Sequence, residues 1–158
     1  KKYVDNRPIR IIFAQYQKNH PMNQHLAVSL IVCYLTLSFA YSIIEKIIQW
    51  QDCKLYYQEH FKRSFLKNHV SAAILLVILM EVICVGLNTI GLYNLLKVGS
   101  ADLILWGMLA VSITLLLLMT GQRIAQDYSG AMNITVYFIL TDICIFMLES
   151  AKKNFVNL

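Results

Sequence analysis

The sequence predicts an all-α membrane protein: a four-transmembrane-helix bundle with an amphipathic helical segment between spans one and two. Three observations predict it. The chain has 158 residues, is 58% hydrophobic and has a mean hydropathy of +0.55. Only 15% of it is charged, against roughly 25% in soluble domains. Its apolar residues gather into four runs separated by short polar segments, and the longest run, Val70–Leu96, contains a single charge, Glu81. A helix needs about 20 apolar residues to cross a hydrocarbon core of ~30 Å. Hydrocarbon gives backbone groups no water to bond, and runs of this length exclude the closed barrel.

Taken in order, residues 1–23 form a polar, basic N-terminal arm with five Lys/Arg and no apolar h-region, so they are not a signal peptide. The first residue is Lys, which leaves open that the chain is the membrane part of a longer protein. One membrane domain is expected over residues 24–150, with spans at about 25–46, 70–96, 103–120 and 132–148. Glu45 and Lys46 bring the first span to the interface, where Trp50 and Tyr56 are expected as anchors. Residues 51–69 interleave Leu55, Phe61, Phe65 and Leu66 with charges and lack Gly and Pro. They are expected to be helical at or beyond the membrane surface. Lys97, a third expected anchor, opens the short turn Lys97-Val98-Gly99-Ser100, which makes spans two and three antiparallel neighbours. The third span has no charge, the fourth has Asp142 near its middle, and residues 151–158 form a basic tail.

Eight Lys/Arg fall on the side of the N-terminus, the 97–102 turn and the tail, against six on the other. That excess expects both termini in the cytoplasm. The net charge of +5 lies beside the apolar runs and not on a separate basic domain. It points to a lipid bilayer as partner and away from nucleic acid.

The polar residues left inside the spans carry the functional expectation. Residues at i, i+3/i+4 and i+7 share a helix face. Glu81, Cys84 and Asn88 therefore form one stripe, Thr135, Asp142 and Glu149 a second, and Ser38, Ser42 and Glu45 a third. Stripes of this kind are disfavoured against lipid, so they are expected to face each other, a water-filled cavity or another subunit. Glu81 lies eleven residues after Val70 and Asp142 ten after Met132, in spans running the same way. The two acids are thus expected at one depth, with no Lys, Arg or His in that zone to neutralise them. Three readings follow: a protonated pair bonded across the bundle, docking onto a partner's cation, or a lined path for protons or cations.

Enzyme chemistry is not expected. His20, His25, His60 and His69 lie in polar segments or at span ends, which argues against haem, and Cys53, Glu59, His60 and His69 fit no zinc spacing. Cys33, Cys84 and Cys144 sit in apolar runs as small hydrophobes, and no CxxC is present. Arg63 and His69 have an Arg-then-His spacing of almost no specificity, and the sequon at Asn133 lies at a span edge. Ala72, Ala73, Gly86, Gly107 and Ala110 are the expected packing residues. The functional expectation is a non-catalytic membrane subunit, without cofactor or metal. It oligomerises with its own kind or docks into a larger complex through Glu81, Asn88, Asp142, Thr135 and Glu45. The alternative is an ion-conducting pore or proton/cation-coupled transporter subunit with Glu81 and Asp142 in the pathway.

Overall fold

A computed structural model describes residues 21–62, 64 and 68–156. Residues 1–20 of the predicted arm and the last two of the tail lie outside that set. The described residues form five helices: α1 (Pro21–Ile48), α2 (Trp50–His60), α3 (Val70–Val98), α4 (Asp102–Ile124) and α5 (Tyr128–Val156). Four of them, all but α2, are long and apolar enough to cross a membrane. Each of the four extends past the apolar run that predicted it. Nothing in the flanking turns (Glu45-Lys46, Gln122-Arg123, Glu149-Ser150-Ala151-Lys152) breaks a helix, so the backbone ladder continues into them. Residues 151–156, read as tail, are the end of α5.

The junctions follow from local chemistry. Gly99 ends α3 in the left-handed conformation (φ 74°), its N–H bonded to Leu95 O at 3.1 Å. Gly alone takes that conformation without a Cβ penalty. At the α4–α5 hairpin, Asp127 Oδ1 accepts the Gly130 N–H at 2.8 Å, so Asp127 is the N-cap of α5. The residue before it, Gln126, takes φ 65°. Between α1 and α2 the ladder is unbroken (Gln49 N–H to Glu45 O and Cys53 N–H to Gln49 O, both 2.9 Å). Gln49 itself has ψ 36°, which turns the axis.

The four long helices form a ring in chain order: α1 against α3, α3 against α4, α4 against α5, and α5 back on α1 with the smallest contact. The diagonal pairs, α1/α4 and α3/α5, hardly touch. Buried positions repeat at three and four: Val28, Val32, Leu35 and Phe39 on α1, and Ile104, Met108, Val111 and Leu115 on α4. On α3 they are Glu81, Cys84, Asn88 and Leu95. This seven-residue rhythm is that of near-parallel helices packed knobs into holes. Polarity is inverted relative to a water-soluble bundle. Leu37, Tyr41, Ile48, Leu96, Trp106 and Phe146 face outward, while Glu81, Asn88, Thr114 and Thr141 are buried. Exposed apolar surface on this scale marks a protein that meets something other than water.

Candidate functional site

Glu81 points into the ring and is 1% exposed. From α1, Lys46 Nζ reaches its two carboxylate oxygens at 2.8 and 3.0 Å. Ser42, one turn before Lys46, donates its hydroxyl to Glu81 Oε1 at 3.0 Å and accepts from Lys46 Nζ. The group is therefore net neutral, and both carboxylate oxygens have partners. Two expectations are corrected here. Lys46 does not end the first helix at an outer edge; its side chain is 11% exposed and turned inward. Nor is Glu81 without a cation in its zone. A lysine's long apolar stem lets its head travel several ångströms from its Cα, and an antiparallel α1–α3 register brings that head to Glu81.

Asp142 is placed oppositely. It lies on α5, diagonal to α3, and its side chain is exposed on the outside of the ring. Among the described residues it has neither a hydrogen bond nor an ion pair. Glu81 and Asp142 thus do not meet across the bundle, because one acid faces in and the other faces out on helices that do not adjoin. Thr135 and Glu149 share the outer face with Asp142. The Thr135 hydroxyl is bonded to Ala131 O at 2.9 Å, in its own helix.

Cys84 and Asn88 continue the Glu81 stripe toward α4. Cys84 Sγ meets Thr114 Oγ1 at 3.4 Å. Asn88 is fully buried, and neither its side-chain oxygen nor its nitrogen has a partner. It lies directly against Gly107, where a Cβ would collide with Asn88 Oδ1. One turn on, a Cβ at Gly91 would stand 2.9 Å from both Ile104 Cγ1 and Ile104 N. Of the expected packing residues, Gly107 lies in this α3–α4 contact and Ala110 packs on the core, whereas Gly86 faces open space. Gly91 was not among those expected.

Where α1 turns into α2, a half-open cavity of about 350 Å³ runs along the pair Ser42–Lys46. Glu45, Gln49, Asp52 and Tyr56 line it one turn after another. Glu45 is exposed there. Partial burial pushes the phenol of neighbouring, half-buried Tyr57 above its ordinary range, with Cys53 adding to the shift.

α2 has no buried residue of its own and is held at its end. His60 Nε2 is 3.1 Å from Gln122 Oε1 and 3.6 Å from Asp127 Oδ2, both at the α4–α5 hairpin. The imidazole stacks on Tyr56 (centroids 5.4 Å, 18°) and meets Phe61 edge-on at 5.6 Å. Of the expected anchors, Trp50 is half-buried, and Tyr56 and Lys97 are exposed. At the opposite end of the ring Lys152 Nζ bonds Asp102 Oδ1 at 2.8 Å, tying α5 to α4.

Among the described residues no three His, Cys, Asp or Glu side chains gather as a metal site. Arg63 lies outside the described residues, and His69 is exposed at the start of α3. The fold defines a class: an all-helical ring of four helices long and apolar enough to cross a membrane, with a neutral ion pair inside and an acid outside. Comparison with protein-family models, curated proteins and solved structures finds no match.

Proposed function

We propose that this chain is a multi-pass integral membrane protein, a non-catalytic subunit that docks into a larger membrane complex through the outer face of α5. The observation that carries the reading is Asp142, exposed halfway along an apolar helix without a partner among the described residues. Facing lipid, a carboxylate at that depth costs roughly 2.5–3.5 kcal/mol on insertion scales. A bundle that neutralises one internal acid with its own lysine and leaves a second acid outside is suited to completion by another chain. In this reading the bilayer surrounds α1, α3, α4 and α5, α2 lies at the surface over the α4–α5 hairpin, and both termini are cytoplasmic, following the Lys/Arg excess.

The alternative, a proton or cation pathway, has one supporting feature: the cavity lined by Ser42 and Lys46, the two α1 side chains bonded to Glu81. Against it, Glu81 and Asp142 occupy separate faces of diagonal helices and define no common path. The test is the native mass of the chain extracted from its own membrane in mild detergent. The docking reading expects a particle heavier than one chain, containing other polypeptides. Extraction as single copies would sink it, and cation flux through the purified single chain in vesicles would establish the alternative.

A further inference from the structure

Resting on that membrane reading, we infer that the outer face of α5 receives a transmembrane helix of a different protein that carries one lysine or arginine near its own middle. A second copy of this chain does not fit. The depth of Asp142 follows from helix geometry. Lys152, bonded to Asp102, marks one end of the ring, and Asp142 precedes it by ten residues, about 15 Å at 1.5 Å per residue. That is half of a ~30 Å hydrocarbon core. Around it the exposed residues Met132, Val136, Ile139, Ile143 and Phe146 step by four and three. This is the seam a near-parallel helix packs against.

Charge decides between the two occupants. Within the four long helices the cations are Lys46, Lys97, Arg123, Lys152 and Lys153. Lys46 is buried and taken by Glu81. The other four stand in the last turns or at the end of α5, far from the level of Asp142. A symmetric contact of two copies is self-complementary. It would set Asp142 against Asp142, with no mid-helix cation in either copy to separate them. A foreign helix with one basic residue at matching depth neutralises the acid and satisfies its oxygens, and its apolar remainder fills the seam.

The probe is a labelled polyleucine helix with a single central lysine. It is reconstituted with the full chain in phosphatidylcholine vesicles and read by energy transfer, beside hosts with leucine or aspartate at that position. The lysine host is expected to bind roughly three- to thirtyfold more tightly than the leucine host, the range spanned by polar contacts between membrane helices. Asp142→Asn is expected to reduce it to the leucine level, and Asp142→Glu to retain the preference. Equal binding of all three hosts, or a lysine preference that survives Asp142→Asn, would overturn the proposal. So would self-association of the chain that is lost in Asp142→Asn. The two readings fail separately. A heavy native complex indifferent to Asp142→Asn removes this face from both, and leaves standing only that the chain is a subunit docked through another surface. Single copies from the native membrane, with lysine-host binding intact, do the reverse.

Discussion

Lys46 Nζ lies 2.8 Å from one carboxylate oxygen of Glu81 and 3.0 Å from the other, with Ser42 closing the group. A buried pair contributes little over an apolar pair of the same volume, but breaking it leaves a charge with no partner. Lys46→Met or Glu81→Leu alone should each destabilise the bundle by about 3–5 kcal/mol. The double variant should recover most of that loss. Denaturation in detergent, arranged as a double-mutant cycle, measures the coupling, and additive losses would show that the two side chains act independently.

The α3–α4 contact makes a more selective prediction. Gly107→Ala drives a methyl into the Asn88 amide, whereas Gly91→Ala drives one into the backbone of Ile104. Each should cost about 1–3 kcal/mol, as overpacking usually does. Asn88→Ala should relieve the first, because a side chain can be removed, and leave the second unchanged. Gly86→Ala meets nothing within 4 Å and should be tolerated or stabilising by up to about 1 kcal/mol, since Ala favours the helix over Gly. Melting temperatures of the three glycine variants, of Asn88→Ala and of its combinations with Gly107→Ala and Gly91→Ala decide it, and equal effects at Gly86 and Gly107 would contradict the close approach.

In the α4–α5 hairpin, Gln126 holds φ 65°, a conformation that costs a residue with a Cβ roughly 1–2 kcal/mol. Gln126→Gly should therefore stabilise the protein, and Asp127→Ala, which removes the cap of α5, should destabilise it by about 1 kcal/mol. Opposite signs at adjacent positions are the expected signature in a thermal scan.

His60 ties the end of α2 to the α4–α5 hairpin. His60→Ala removes the contacts to Gln122 and Asp127 and the stack on Tyr56. Amide exchange should rise across residues 50–60 and stay unchanged over 70–98, since local opening needs only the local contacts to fail. Unchanged exchange over α2 would mean that the helix is held elsewhere.

The four long helices were legible because each apolar run is long and its neighbours are polar. Which face of each turned inward was only partly legible. On α4 apolar residues surround the whole helix, so no hydrophobic stripe distinguishes Met108, buried, from Leu109, exposed. On α3 the polar residues themselves marked the inner face, and Glu81, Cys84 and Asn88 are all buried. Applied to α5, the same reasoning left the Asp142 stripe facing the bundle, a cavity or another subunit, and the exposed position of Asp142 was not legible, because a polar stripe requires company without saying whose. Lys46 was misplaced since a charge at the end of an apolar run resembles an interface residue. Its spacing of four from Ser42 was the available signal, and the α1–α3 register needed to use it appears only in three dimensions. His60 offered nothing in sequence beyond an imidazole in a polar segment.

On the proposed membrane reading, the Lys46–Glu81 pair also bears on the order in which the chain would enter a bilayer. α1 on its own would bring an ammonium group toward hydrocarbon, and α3 on its own a carboxylate. Only the hairpin of both is neutral, so insertion of the first helix should be completed by arrival of the next. A chain truncated at residue 62 should leave α1 less fully inserted than one extended to residue 98, and Lys46→Leu should remove the difference. Glycosylation sites engineered on either flank of α1 would report the two populations during synthesis. The salt bridge would then act as a timing device in biogenesis before it acts as a strut in the finished fold.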